Sequence, residues 1–134
     1  MYKNILIPIS FDEDSTENAL RAAAALADED AKVTLLHVMG AVPKYASSYF
    51  PKGYRDEAQS TIEASLRDMA QDLPNASGVV AEGQPGRTIL EWARDHAVDC
   101  IFLSAHRAGS PEFLLGSTAA QVVRHATCGV HIVR

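Results

Sequence analysis

Five short apolar runs, each separated from the next by a stretch with helical spacing, set the narrowest limit on what this chain can fold into. The runs cover residues 4–9, 32–38, 78–82, 99–104 and 129–133. Most are near-continuous rather than alternating. That pattern suits strands covered on both faces, as in a parallel sheet. Between the first two runs, Ala19, Leu20, Ala23, Ala24 and Ala27 share one helical face in a stretch extending to Asp30. Asp14 with Glu17 three residues later has the form of a capping pair. Ala58, Ile62, Leu66, Met69 and Leu73 line one face of a second helix. Ile89, Leu90 and Ala93 mark a third, and the alanine-rich stretch from Thr118 to Ala126 a fourth. Strand and helix therefore alternate from end to end. The alternation predicts a single α/β domain, residues 1–134, doubly wound around a five-stranded parallel sheet with right-handed crossovers.

A chain of 134 residues is long enough for one sizeable core. Its formal net charge of −5 argues against a general nucleic-acid binder, because an acidic surface repels polyanions. Cys100 and Cys128 lack any metal-ligand or redox spacing and read as buried, reduced thiols. The first apolar run is too short for a signal peptide, and no segment approaches membrane-spanning length. A cytoplasmic location with no membrane partner is expected.

In open α/β sheets a ligand sits beyond the carboxyl ends of the strands, where the strand order switches. Three segments meet that description: Pro8, Ile9 and Ser10; Val38, Met39 and Gly40; and the stretch from Ser104 to Thr118. The last ends in Gly116-Ser117-Thr118 at a helix start, where free amides and the dipole favour an anion. Arg107 adds a charged donor. The same residues admit a plainer reading in which Ser117 or Thr118 only caps the helix and Arg107 is solvated. Neither GxxxxGK[ST] nor GxGxxG is present, so P-loop and dinucleotide sites are disfavoured.

His106, beside Arg107, could serve Ser104 or Ser117 as a base, but no acid is placed to orient it. His37 and His131 lie inside apolar runs and read as core or interface histidines. His96 and His125 fall near helix ends, where a cation meets the dipole favourably. Trp92 reads as packing rather than a stacking platform. The irregular stretch 39–55, with Pro43, Pro51, Gly53 and three tyrosines, is either a surface loop or the wall or lid of a pocket.

Several motifs in order resemble the universal stress protein family: "YKNILIPIS", "AKVTLLHV", "EGQPGRTILEWARDHAVDCIFLSAHR" and "LLGSTAAQVVRHATCGVHIVR". Together they cover essentially the whole chain. The resemblance implies a Rossmann-like sheet of strand order 3-2-1-4-5 and an adenine-nucleotide pocket. The family's ATP-binding branch carries G-x2-G-x9-G-[ST] in its last loop. Here Ser104 and Arg107 stand at the first two glycine positions, and only eight residues separate Arg107 from Gly116. The sequence "SAHR…LLGSTA" is similar to the F- and G-type subgroup, which shares the arginine and the shortened loop and binds adenine nucleotides. Charge from the arginine replaces the backbone approach a glycine allows. A second departure is Ser10, where the family usually has aspartate. Loss of one charged hydrogen bond costs roughly 1.5–3 kcal/mol, about tenfold or more in affinity.

On that resemblance, Pro8, Ile9, Ser10 and Val38 surround the adenosine, Val38 through its backbone. Leu103 and Ser104 wall the ribose, and His106, Arg107, Gly116, Ser117 and Thr118 take the phosphates. ATP or AMP is the expected ligand, with magnesium accompanying ATP. The expected role is stress sensing or signalling toward an unidentified protein partner. At most, slow ATP hydrolysis or self-phosphorylation accompanies it, and no catalytic residue is assigned. The family's dimers imply a homodimer through Val130, His131, Ile132 and Val133. The alternative is a dimeric interaction module that has lost its nucleotide.

Overall fold

Buried strands alternating with amphipathic helices have one economical packing, helices on both faces of a parallel sheet. The computed structural model describes residues 1–11, 16–105 and 115–134. In chain order its elements are β1 (Tyr2–Pro8), α1 (Thr16–Leu26), β2 (Ala27–Met39), α2 (Lys44–Ser47) and α3 (Tyr54–Ala70). They continue with β3 (Ala76–Glu82), α4 (Pro85–Asp95), β4 (Cys100–Ser104), α5 (Ser117–His125) and β5 (Gly129–Val133). The sheet order is β3-β2-β1-β4-β5, as expected, and every neighbouring pair is parallel.

Side chains alternate across the sheet and divide the core in two. Ile5, Ile7, Ile9, Val33, Leu35, Cys100 and Phe102 pack under α1 and α3 with Ala19, Ala23 and Leu66. Leu6, Leu36, Ile101 and Leu103 pack under α4 and α5 with Ile89, Ala93, Ala119 and Val122. A glycine lets α3 settle closely onto β3, since a Cβ at Gly78 would lie 2.5 Å from Leu66 Cβ. On the other face, Pro85 opens α4 and the Gln84 side chain caps it, accepting from the Arg87 amide at 2.7 Å. The Gln84 amide group also donates to Gln121 of α5 at 3.1 Å and ties the two helices.

The structure shortens the first helix. The helical pattern runs to Asp30 in the sequence, yet α1 ends at Leu26 and β2 begins at Ala27. Ala27 pairs with Tyr2 of β1, and Ala31 is buried. Sheet pairing outweighs the helix preference of these residues. Ala24, assigned to the inner face of that helix, is exposed. Within the irregular stretch 39–55 the chain forms α2 and begins α3. Gly53 takes φ +83 at the start of α3, a left-handed conformation that suits glycine. Trp92 is half-buried against the core and stacks on His96 with ring centroids 3.7 Å apart. Asp14 of the expected capping pair lies outside the described residues.

Candidate functional site

The strand ladders end unevenly at the carboxyl rim. β1 pairs with β2 up to Pro8 and Leu36, and β4 pairs with β5 up to Ser104 and Val133. Between β1 and β4, the switch point, pairing is confined to Ile5 with Cys100 and Leu6 with Ile101. Above that level the two central strands are no longer joined, which leaves a crevice at the place where such sheets take ligands.

Alternation decides which side chains line it. Val38 and Leu103 pack on the α4/α5 face, and Pro8 follows Leu6 onto the same side. Ile9 belongs to the opposite face and is 4% exposed. Its amide donates to the Leu36 carbonyl at 2.8 Å, and its own carbonyl is held by His37 Nδ1 at 2.7 Å. Ile9 therefore supports the rim from behind. Ser104, also buried, follows Phe102 onto the α1/α3 side of the sheet. Ser10 is half-buried at the end of β1.

Helix α5 starts beside this crevice. The Gly116 amide donates to the carbonyl of Ala105, one residue past β4, at 2.7 Å. Ala120 begins the intrahelical ladder by donating to Gly116 at 2.8 Å. The intervening amides of Ser117, Thr118 and Ala119 belong to the unsatisfied first turn. Gly116 itself is the N-cap, with no side-chain capping bond. The reading of Ser117 or Thr118 as the cap is thereby corrected, because both lie inside the first turn. Their amides and the positive helix end lie at the rim, an arrangement that suits an anion. His106 and Arg107 lie outside the described residues. No cluster of three or more metal-ligating side chains occurs among the described residues.

Two contributors escape sequence reading. Ala105 pins α5 through a carbonyl, and a carbonyl leaves no trace in residue identity. His37 reads as a core histidine, and the structure gives it a particular partner in Ile9. That pairing depends on the β1–β2 register, which no local pattern encodes. His131 stacks on Phe102 with centroids 5.0 Å apart. β5, the strand that carries it, lies at the edge of the sheet.

Fold and rim together define a doubly wound α/β protein, a class in which ligands sit at the switch-point crevice. The sequence profile of the universal stress protein family matches residues 1–134, and the chain belongs to that family. It is 31% identical to a universal stress protein of Methanothermobacter thermautotrophicus, over 100% of this chain and 97% of the relative. It is 28% identical to universal stress protein G of Salmonella typhimurium, over 100% of both, consistent with the G-type resemblance. Among solved structures, UspA from Lactobacillus plantarum superposes with a TM-score of 0.76 at 28% identity, covering 99% of this chain and 98% of that one. Two further structures share the fold. The Archaeoglobus fulgidus protein in complex with dAMP has a TM-score of 0.64 at 20% identity, covering 99% of this chain and 98% of that one. An Arabidopsis thaliana family member with AMP bound has 0.65 at 17%, covering 98% and 90%.

Proposed function

We propose that this chain, as one domain of residues 1–134, binds an adenine nucleotide, ATP or AMP, in the crevice between β1 and β4. The role is that of a cytoplasmic sensor or signalling module with slow or no turnover. One observation carries the reading: the open first turn of α5 is pinned beside the rim on the sheet face lined by Pro8, Val38 and Leu103. An apolar wall next to an anion seat suits a nucleoside phosphate, with its flat base and charged tail. The structures of family members with dAMP and AMP support it.

In this reading Pro8, Ser10 and Val38 hold the adenosine and Leu103 closes the ribose side, while Ile9 and Ser104, expected in the pocket, back it from the opposite face of the sheet. Gly116, Ser117 and Thr118 take the phosphates together with His106 and Arg107, and magnesium accompanies ATP. The test is to denature the purified protein and analyse the released small molecules by mass spectrometry, alongside calorimetry with AMP and ATP. Nucleotide in either experiment sustains the proposal. An empty protein with no affinity for either nucleotide leaves the interaction-module reading in its place.

A homodimer through β5 is part of the proposal. Among the described residues β5 has a neighbouring strand on one side only, and Val130, His131 and Ile132 are half-buried there. An apolar edge of this kind is an association surface or a hazard. Light scattering at micromolar concentration tests it, and a monomer refutes it.

A further inference from the structure

The backbone of Val38 points at the candidate site with its hydrogen-bonding groups unspent, and the reason lies in the preceding side chain. In a parallel pair, residues two apart direct their backbone groups toward the same neighbouring strand. Leu36 uses its carbonyl toward β1, accepting from Ile9 at 2.8 Å, so the groups of Val38 also face β1. Regular continuation of this ladder would have the Val38 N–H donate to the Ile9 carbonyl. That bond is absent, and the carbonyl is taken instead by His37 Nδ1 at 2.7 Å. Among the described residues outside the strand ladders nothing else accepts from the Val38 amide, and its direction toward β1 turns it away from β3. The half-buried His37 ring lies against Phe11, with centroids 5.1 Å apart. This contact restrains the imidazole where Nδ1 meets Ile9.

We propose that His37 is a positioning residue: by occupying the Ile9 carbonyl it stops the β1–β2 ladder one bond early and keeps the Val38 amide available to a ligand. The inference rests on the nucleotide reading for the identity of that ligand, a base edge offering an acceptor. It names an arrangement that can be tested without nucleotide. The bond requires a proton on Nδ1, because the Ile9 carbonyl can only accept. An asparagine places its amide nitrogen close to the position of Nδ1. Glutamine reaches the position of Nε2 instead.

The experiment compares the full chain with His37→Asn, His37→Gln and His37→Ala. Amide hydrogen exchange at Val38 is read without ligand, and AMP affinity by calorimetry. In the wild type and the Asn variant, Val38 exchanges readily and AMP binds with similar affinity. In the Gln and Ala variants the ladder closes, Val38 becomes protected, and AMP binding weakens by roughly tenfold, as expected for one lost hydrogen bond. The unfolding midpoint does not follow the affinity, because a protein–protein hydrogen bond replaces the one removed. Val38 exchange that is equally fast in wild type and His37→Ala overturns the proposal, as does AMP affinity unchanged in the Gln variant. Wild-type protein with no affinity for AMP overturns the nucleotide reading, whatever the exchange data show about the ladder.

Discussion

Asn4 and Asp99, 95 residues apart, hold each other by a reciprocal pair of hydrogen bonds. The Asn4 amide donates to the Asp99 carboxylate at 3.2 Å, and the Asp99 amide donates to the Asn4 carbonyl at 2.9 Å. The same carboxylate accepts from the Lys3 amide at 2.8 Å. The Asn4 side chain reaches the carbonyls of His96 and Ala97 at the end of α4, at 2.7 and 3.2 Å. This clasp joins the amino ends of β1 and β4, at the opposite end of the sheet from the candidate site.

Replacing Asp99 with alanine leaves two backbone amides without their acceptor. A loss of about 1–3 kcal/mol in unfolding free energy is expected, with a smaller loss for Asp99→Asn, which keeps one oxygen. Denaturant titration measures both. AMP affinity of the Asn variant should match the wild type, since the clasp is remote from the rim.

Gly116→Asp separates binding from stability. Gly116 has φ −59, a conformation open to any residue, and aspartate is a favoured N-cap. The fold should therefore keep or raise its melting temperature. The new carboxylate would sit on the amides offered to phosphate and weaken nucleotide binding by roughly tenfold or more. Calorimetry with thermal melting decides. Unchanged ATP affinity would remove the anion seat from the site.

Gly78→Ala tests the packing of α3 on β3. The added methyl would lie 2.5 Å from Leu66 Cβ, an atom rooted in a helix backbone that cannot swing aside. A destabilisation of about 1–3 kcal/mol is expected, read as a lower denaturant midpoint.

The thiols should be inert in the native protein. Cys100 is fully buried, and that burial pushes its thiol up to about 11. Cys128, expected to be buried, is only half-buried, and that partial burial raises its thiol as well. A thiol-reactive dye at neutral pH should label the native protein slowly and the unfolded protein quickly. The sign of the pH effect follows. A group raised above its ordinary value of 9.0 adds stability that is complete below that pH and lost as pH rises through about 11. Unfolding midpoints measured across that alkaline window should fall less steeply in Cys100→Ala.

The strands were legible because continuous apolar runs have few alternatives at this length. The bounds of β5 coincide with the fifth run, and helix α3 carries Ala58, Ile62, Leu66 and Met69 of the expected face inward, while Leu73 is buried just past the helix end. The end of α1 was not legible. Ala27, Asp28, Glu29 and Asp30 suit a helix by local preference, and only pairing with β1 draws them into a strand. Asp28 also meets the amino terminus of Met1 in an ion pair. At the site, strand ends pointed to Pro8 and Val38 and the family resemblance to Leu103, and alternation placed them on one face. The role of His37 needed the register of β1 on β2, a relation between residues 28 positions apart.

The short β1–β4 ladder has a mechanical meaning. These two strands form the seam between the halves of the sheet, tied at the amino end by Asn4 and Asp99 and untied toward the carboxyl end. Such a seam behaves like a clothes peg. Its spring end is fastened by side chains and backbone, and its jaws carry no backbone pairing between the two strands. A molecule bound there, as proposed, would touch β1 and β2 on one side and β4 and α5 on the other, and would complete across the gap the join that the backbone leaves unmade.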